Sequence, residues 1–489
     1  MPVRARAEAD DLRAARSAAG LEQAGAGLRP SPRPEAPDIR VAASRARRKI
    51  RPMNRWALAL FLFAACGDNL SADQLIEPMP ASVEVRVEVP AGAEAPPFDQ
   101  PRTLMVPPGF GIRVIARIPT ARVLAESPEG DVLVSRPGDF ASSDGQIFRI
   151  SNVGESPTTT ELASGLTLVH DMVFTKLDGA EYLYVSETDR ISRVAWTGGD
   201  SLGSLEPVIE GLPSASLPEL MGNYGHALKN IAIGGDRLYV SIASATNSSP
   251  SDILADPVRG AIYLYDLDGG NGHLFAKGLR NAEGLAIHPH TGELWAAVNH
   301  RDNTRYPLHD GRYPFGDLVP AYVNDNPPEP FTHIRDGGNY GWPYCNPIDW
   351  NGNDEMPYVP DIDNNDNETV LDCESIDRID KGLPAHAAPL GMSFWTGEHA
   401  PTGYRDGAVV GLHGCWNCTV PHGYEVVFLP LRADDGFEDA IDLVTGFLTD
   451  PTDKNTLWGR PVDVIPARDG NLYISDDFAG AVYELYRKP

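Results

Sequence analysis

Six stretches of this chain repeat one phrase, a glycine-containing turn leading into a short apolar-alternating strand, and this repetition constrains the fold more than any other feature. The phrase reads PEGDVLVSR from Pro128, DGAEYLYVSE from Asp178, GGDRLYVSIA from Gly234, HTGELWAAVN from His290, RDGAVVGLHG from Arg405 and RDGNLYISDD from Arg468. Each has Leu, Tyr or Val at alternate positions after a turn signal, the pattern of a strand that buries one face at a time. The phrases recur every fifty to about sixty residues, except that the fourth and fifth stand about twice as far apart. A four-stranded propeller blade needs about 40–50 residues, so six phrases predict an all-β, six-bladed β-propeller with a long insertion between blades 4 and 5. No segment holds a helical period over three turns, and a two-domain sandwich would leave the recurring phrase unexplained. GIRVIARI at Gly111 and AVYELY at Ala481 both read as strands, and sharing one blade would close the ring without leaving an edge.

Composition agrees. The 47 Gly and 43 Pro are spread along the chain, as many short strands and turns require. With 68 acidic against 41 basic residues, a net charge of −27 repels a phosphate backbone and argues against nucleic acid as a partner.

The N-terminus reads as an address. Residues 1–52 lack an apolar period, and MNRWALALFLFAACGDNL then begins at Met53, which would make Met53 the true start. Arg55, an apolar run of about ten residues and Ala64-Ala65-Cys66-Gly67 form an export signal too short to span a bilayer. Cys66 is the expected lipid-modified first residue of an exported lipoprotein, anchored at the membrane in the periplasm or on the outer surface; an ordinary cleaved signal is the alternative. The chain therefore divides into residues 1–66 as extension and signal, 67–100 as a Pro/Ala-rich tether, and 101–489 as the propeller. The four remaining cysteines of an exported chain predict two disulfides, Cys345 with Cys373 and Cys415 with Cys418.

There is no GxGxxG after a strand, no P-loop, no HExxH and no GxSxG, which weakens nucleotide and common hydrolase readings. Among twelve histidines, His226 stands out. It lies in GNYGHALKNIAIGG just before the third repeat strand, where a blade loop faces the propeller axis, with Lys229 three residues on. A neutral imidazole there can take a proton, and a neighbouring cation can hold an anion.

GHALKN before LYVSIAS, GLRNAEGLAI before the fourth strand, GGNYGWPYC, and GRPVDV before LYISDD stand in the order found in the soluble quinoprotein glucose and sorbosone dehydrogenases. The chain resembles that family over about residues 100–489, most closely its sorbosone-dehydrogenase-like branch. The resemblance implies oxidation of a sugar with pyrroloquinoline quinone and calcium as cofactors, the electrons passing to an acceptor of the respiratory chain. It implies His226 as the base that takes the sugar hydroxyl proton and Arg280 as the group that polarises the quinone carbonyl. It further implies Asn281 as a cofactor contact, and Lys229 and Arg460 as partners of the cofactor carboxylates. Calcium would be held by backbone carbonyls in the loop VNHRDN, at His300 and Arg301. His386, in PAHAAPLG, is placed to line the mouth. Where relatives carry an HGSWNR-like segment, this chain has HGCWNC, so Cys418 replaces a basic residue. Two segments read as structural: GGNYGWP around Trp342 as a rigid turn, and DIDNNDNE from Asp361 as a solvated loop without the glycine and terminal glutamate of a calcium loop. A non-catalytic carbohydrate- or protein-binding propeller is the second reading. A calcium-dependent lactonase is the third, and would need carboxylate and amide ligands at blade starts that are not seen arranged.

Overall fold

A computed structural model describes residues 81–139, 142–348, 354–396 and 403–488. The proposed signal and Cys66 lie outside these residues. Six antiparallel sheets are arranged in sequence as blades, with innermost strands Leu124–Glu126, Met172–Leu177, Lys229–Gly234, Asn281–Ile287, Pro389–Trp395 and Pro461–Pro466. Each repeat phrase supplies the second strand of its blade, from Val132–Arg136 to Leu472–Asp476.

The reason the phrase recurs is visible in the packing. A second strand is sandwiched between two neighbouring blades, so its alternate side chains enter two different apolar clusters. Val132 and Val134 pack toward the last blade while Leu133 packs toward the second. Leu294, Ala296 and Val298 face the third blade, and Trp295 and Ala297 face the fifth. All six blade interfaces are filled in this way. Phe110–Ala116 pairs antiparallel with Ala481–Arg487, so the N-terminal strand completes the last blade and closes the ring.

The extra length expected between blades 4 and 5 is taken up inside blade four. Its outer strands, Glu329–His333 and Lys381–Leu383, are separated by an excursion that holds the hairpin Cys345–Pro347 with Tyr358–Pro360. Gly338–Asn339 of this excursion pairs with the outer strand of blade three. Cys345 is bonded to Cys373, and Cys415 to Cys418, as the even cysteine count predicts. Trp342 is buried, and its indole Nε1 donates to the Asn247 carbonyl at 3.1 Å, consistent with a rigid turn.

Two expectations are corrected. Residues 81–100 are not a free tether: Val83–Arg86 pairs with Thr103–Val106, and Val87 and Phe98 are buried in the cluster between the last two blades. The alternation in SVEVRVEV is a strand signal that the surrounding Pro and Ala composition outweighed. Nor is the acidic loop simply solvated. Asp361 is buried, ion-paired with Arg301, and accepts from Asn346 Nδ2 at 2.9 Å.

Candidate active site

Inner strands begin, and second strands end, on the same rim of an antiparallel propeller, so residues at those points converge there, from every blade but the second. They line a cavity of about 270 Å³ bounded by Arg122, His226, Arg280, Asn281, Glu283, Asn299, His300, Asp302, Glu329, His386, His413, Trp416 and Arg460. Six residues singled out from sequence are therefore brought together: His226, Arg280, Asn281, His300, His386 and Arg460.

The tautomer of His226 follows from its partner. Nδ1 lies 2.8 Å from the Ser244 carbonyl, which can only accept, so Nδ1 carries the proton and the lone pair stays on Nε2. Burial and the Arg280 guanidinium push this imidazole down to about 3, which keeps it neutral. The Ser244 turn is itself fixed. Ala245 N, Thr246 N and Thr246 Oγ1 all donate to the buried carboxylate of Asp252, which also accepts from Arg259 Nε at 2.6 Å.

Arg280 is aimed by two contacts, Nε to the Asn247 carbonyl at 3.1 Å and Nη2 to Asp302 at 2.9 Å. Asp302 is also 3.5 Å from His386 Nδ1. Although burial opposes it, Arg280 and His386 hold the Asp302 carboxyl below its usual range. Asn281 Nδ2 donates to Glu283 at 3.1 Å. His300 has both ring nitrogens buried without a hydrogen-bond partner, while its backbone N–H donates to Glu329. Burial pushes Glu329 up to about 7.

Arg460 donates from Nε and Nη2 to the carbonyls of His413 and Gly414 at 2.9 and 3.0 Å. Those carbonyls neutralise none of its charge. Arg122 bridges Asp477 at 2.8 Å and Glu283 at 3.2 Å, with Nε buried and unpartnered. His413 Nε2 is 2.8 Å from Asp477.

Two sequence candidates are placed elsewhere. Lys229 does not reach the cavity: it opens an inner strand, is fully buried, and its Nζ turns back to the Ala227 carbonyl at 2.8 Å over the Tyr224 ring. Burial pushes this amine down to about 7. The Arg301 side chain points to Asp361 and Asp363, so only its backbone is available to the site. Arg122, Glu283, Asn299, Asp302, Glu329, His413 and Trp416 went unpredicted. Arg122 and Asp477 are 355 residues apart, and no local motif announces such a pair.

Below this cavity a second one, of about 130 Å³, lies among the inner strands and shares Glu283. His170 lines it, buried, with neither ring nitrogen hydrogen-bonded and Glu283 Oε2 3.9 Å away. Burial, Arg122 and Lys229 hold His170 well below its ordinary value, and burial with Arg460 pushes His413 down to about 4. In the unfolded chain both would protonate near pH 6.5. Their contribution to stability is thus complete above that pH and is lost as pH falls toward the folded values. The unfolding free energy from urea titrations should drop between pH 7 and 5, by up to about 1.4 kcal/mol per pH unit for each group. His170→Leu should flatten that slope; an unchanged slope would show that His170 is not buried in the neutral form.

Compared with known proteins, residues 104–488 match the family described as TrAA12-like. The chain belongs to the TrAA12-like family. An uncharacterized protein of Borreliella burgdorferi is 24% identical over 403 residues, covering 78% of this chain and 91% of that one. A pyrroloquinoline quinone-dependent pyranose dehydrogenase of Coprinopsis cinerea is 32% identical over 120 residues, 22% of this chain and 16% of that enzyme. Two solved structures share the fold. The pyranose dehydrogenase PQQ domain of Coprinopsis cinerea superposes with a TM-score of 0.65 at 19% identity, covering 82% of this chain and all of that one. The family AA12 enzyme of Trichoderma reesei gives 0.64 at 20% identity, covering 78% and 97%. For a TrAA12-like chain, the expected likeness to quinoprotein sugar dehydrogenases thus holds at family level.

Proposed function

We propose that this protein oxidises a sugar with pyrroloquinoline quinone, in an exported, lipid-anchored form that hands electrons to a respiratory acceptor. The observation that carries the reading is one cavity holding a neutral base with its lone pair on Nε2 beside three arginines from three blades.

The donor set suits a polycarboxylate. Arg460 makes no salt bridge among the described residues, and the buried Arg122 Nε and His300 ring nitrogens lack partners. Unpartnered buried donors are costly unless something fills the site. Arg280, Arg460 and Asn281 would hold the cofactor, with Arg460 supplying the charge that Lys229 and the basic residue replaced by Cys418 do not. When bound, the quinone supplies a hydride acceptor.

The chain's own part is acid–base and electrostatic. Nε2 of His226 would take the hydroxyl proton from oxygen as hydride leaves the carbon that bears it, and Asp302 steadies Arg280. Among the described residues no three His, Cys, Asp or Glu side chains gather as a metal site. Calcium would therefore rely on the carbonyls of His300 and Arg301 and on cofactor oxygens.

The test is reconstitution of purified protein with calcium and the quinone, followed by dye reduction over a panel of sugars. Sugar-dependent turnover is expected. No quinone binding at micromolar concentration would sink this reading and favour a non-catalytic propeller that binds carbohydrate or protein.

A further inference from the structure

Trp416 is the large side chain that the fold leaves most conspicuously at the rim. It is 66% exposed yet lines the cavity, whereas the two cysteines that flank its loop, Cys415 and Cys418, are buried. A lone exposed apolar residue means little by itself. What separates Trp416 is how firmly its backbone is held. The Cys415–Cys418 bridge closes the turn around it, and Lys454 Nζ donates to the carbonyls of Trp416 and Cys418 at 2.8 and 3.1 Å. Asn417 Nδ2 donates to Asn303 Oδ1 at 3.2 Å, tying the loop to the segment that carries Asp302.

We propose that Trp416 is the platform on which the pyranose ring of the substrate lies, and that the Cys415–Cys418 bridge is its positioning device. A neutral sugar has an apolar face of C–H groups and a rim of hydroxyls. The indole takes the face, and Asp302 and Asn299 in the same cavity take hydroxyls. Clamping the turn removes the ordering cost that a mobile tryptophan would impose on binding. The cysteine at 418 thus trades a basic side chain for a fixed aromatic surface. The inference rests on the sugar-oxidation reading for the identity of the ligand.

The test compares wild type with W416A, W416F and the C415S/C418S double variant. D-glucose, D-galactose and cellobiose are the probes, and KM, kcat and calorimetric sugar binding are measured separately. Losing one aromatic contact should raise KM about tenfold for W416A, with a much smaller change in kcat. W416F should recover most of the affinity, and the double serine variant should fall between. Sugar binding without oxidation, lost in W416A, would uphold the platform and overturn the dehydrogenase reading. Oxidation with KM unmoved in W416A would do the reverse. Absence of any saturable sugar binding in wild type would overturn the platform.

Discussion

Replacing His226 with alanine should lower kcat for sugar oxidation about a thousandfold while quinone retention changes only a few-fold. The separation follows from the site's division of labour. His226 has its Nδ1 proton committed to the Ser244 carbonyl and offers only a lone pair, so it contributes little to holding an anion. The arginines keep their own anchors without it: Arg280 on Asn247 and Asp302, Arg460 on the carbonyls of His413 and Gly414. Glutamine at 226 should be nearly as damaging as alanine, because an amide cannot take up the proton. Single-turnover rates with the quinone bound are the measurement. A tenfold loss or less would mean that another group serves as the base.

The largest stability effect should come from Asp252, which never touches the cavity. Asp252→Ala is expected to destabilise the protein by about 3–5 kcal/mol, because it leaves a buried guanidinium without its carboxylate. Arg259 has 5% of its side chain exposed, and its remaining ion-pair contact is Glu219 at 3.4 Å. The same substitution strips the acceptor from Ala245 N, Thr246 N and Thr246 Oγ1, and these residues adjoin the Ser244 carbonyl that sets the His226 tautomer. Activity should therefore fall even under conditions where the variant stays folded. Asn at 252 keeps some acceptors but no charge, and should fall between. Chemical denaturation with circular dichroism gives the comparison; a midpoint equal to wild type would refute the account of this loop.

Much of the fold was legible because one physical constraint recurs six times. A second strand wedged between two blades must alternate between two apolar clusters, and Leu133 between Val132 and Val134 shows how directly that alternation is written. The site was legible where a residue lies just before an inner strand, as with His226, Arg280, His386 and Arg460, or just after a second strand, as with His300. Lys229 misled because spacing along the chain says nothing about the side chain doubling back to Ala227. Asp302, Glu329 and Asp477 stayed invisible for a different reason. Asp477 acquires its role only when the last blade meets the first at Arg122, and Asp302 and Glu329 acquire theirs only when the loops of blade four fold back on Arg280 and His300. The buried hub at Asp361 escaped because an acidic, Asn-rich stretch has the composition of a solvated loop, and only its pairing with Arg301 draws it inward.

The most direct test of the central claim is the absorbance of bound quinone when sugar is added to the calcium-loaded protein without an external dye. Sugar oxidation through His226 requires saturable quinone binding at micromolar concentration or tighter, followed by sugar-dependent loss of the oxidised spectrum that is about a thousandfold slower in H226A than in wild type. Contradiction would take the form of no saturable binding, or of a bound quinone whose spectrum no sugar alters.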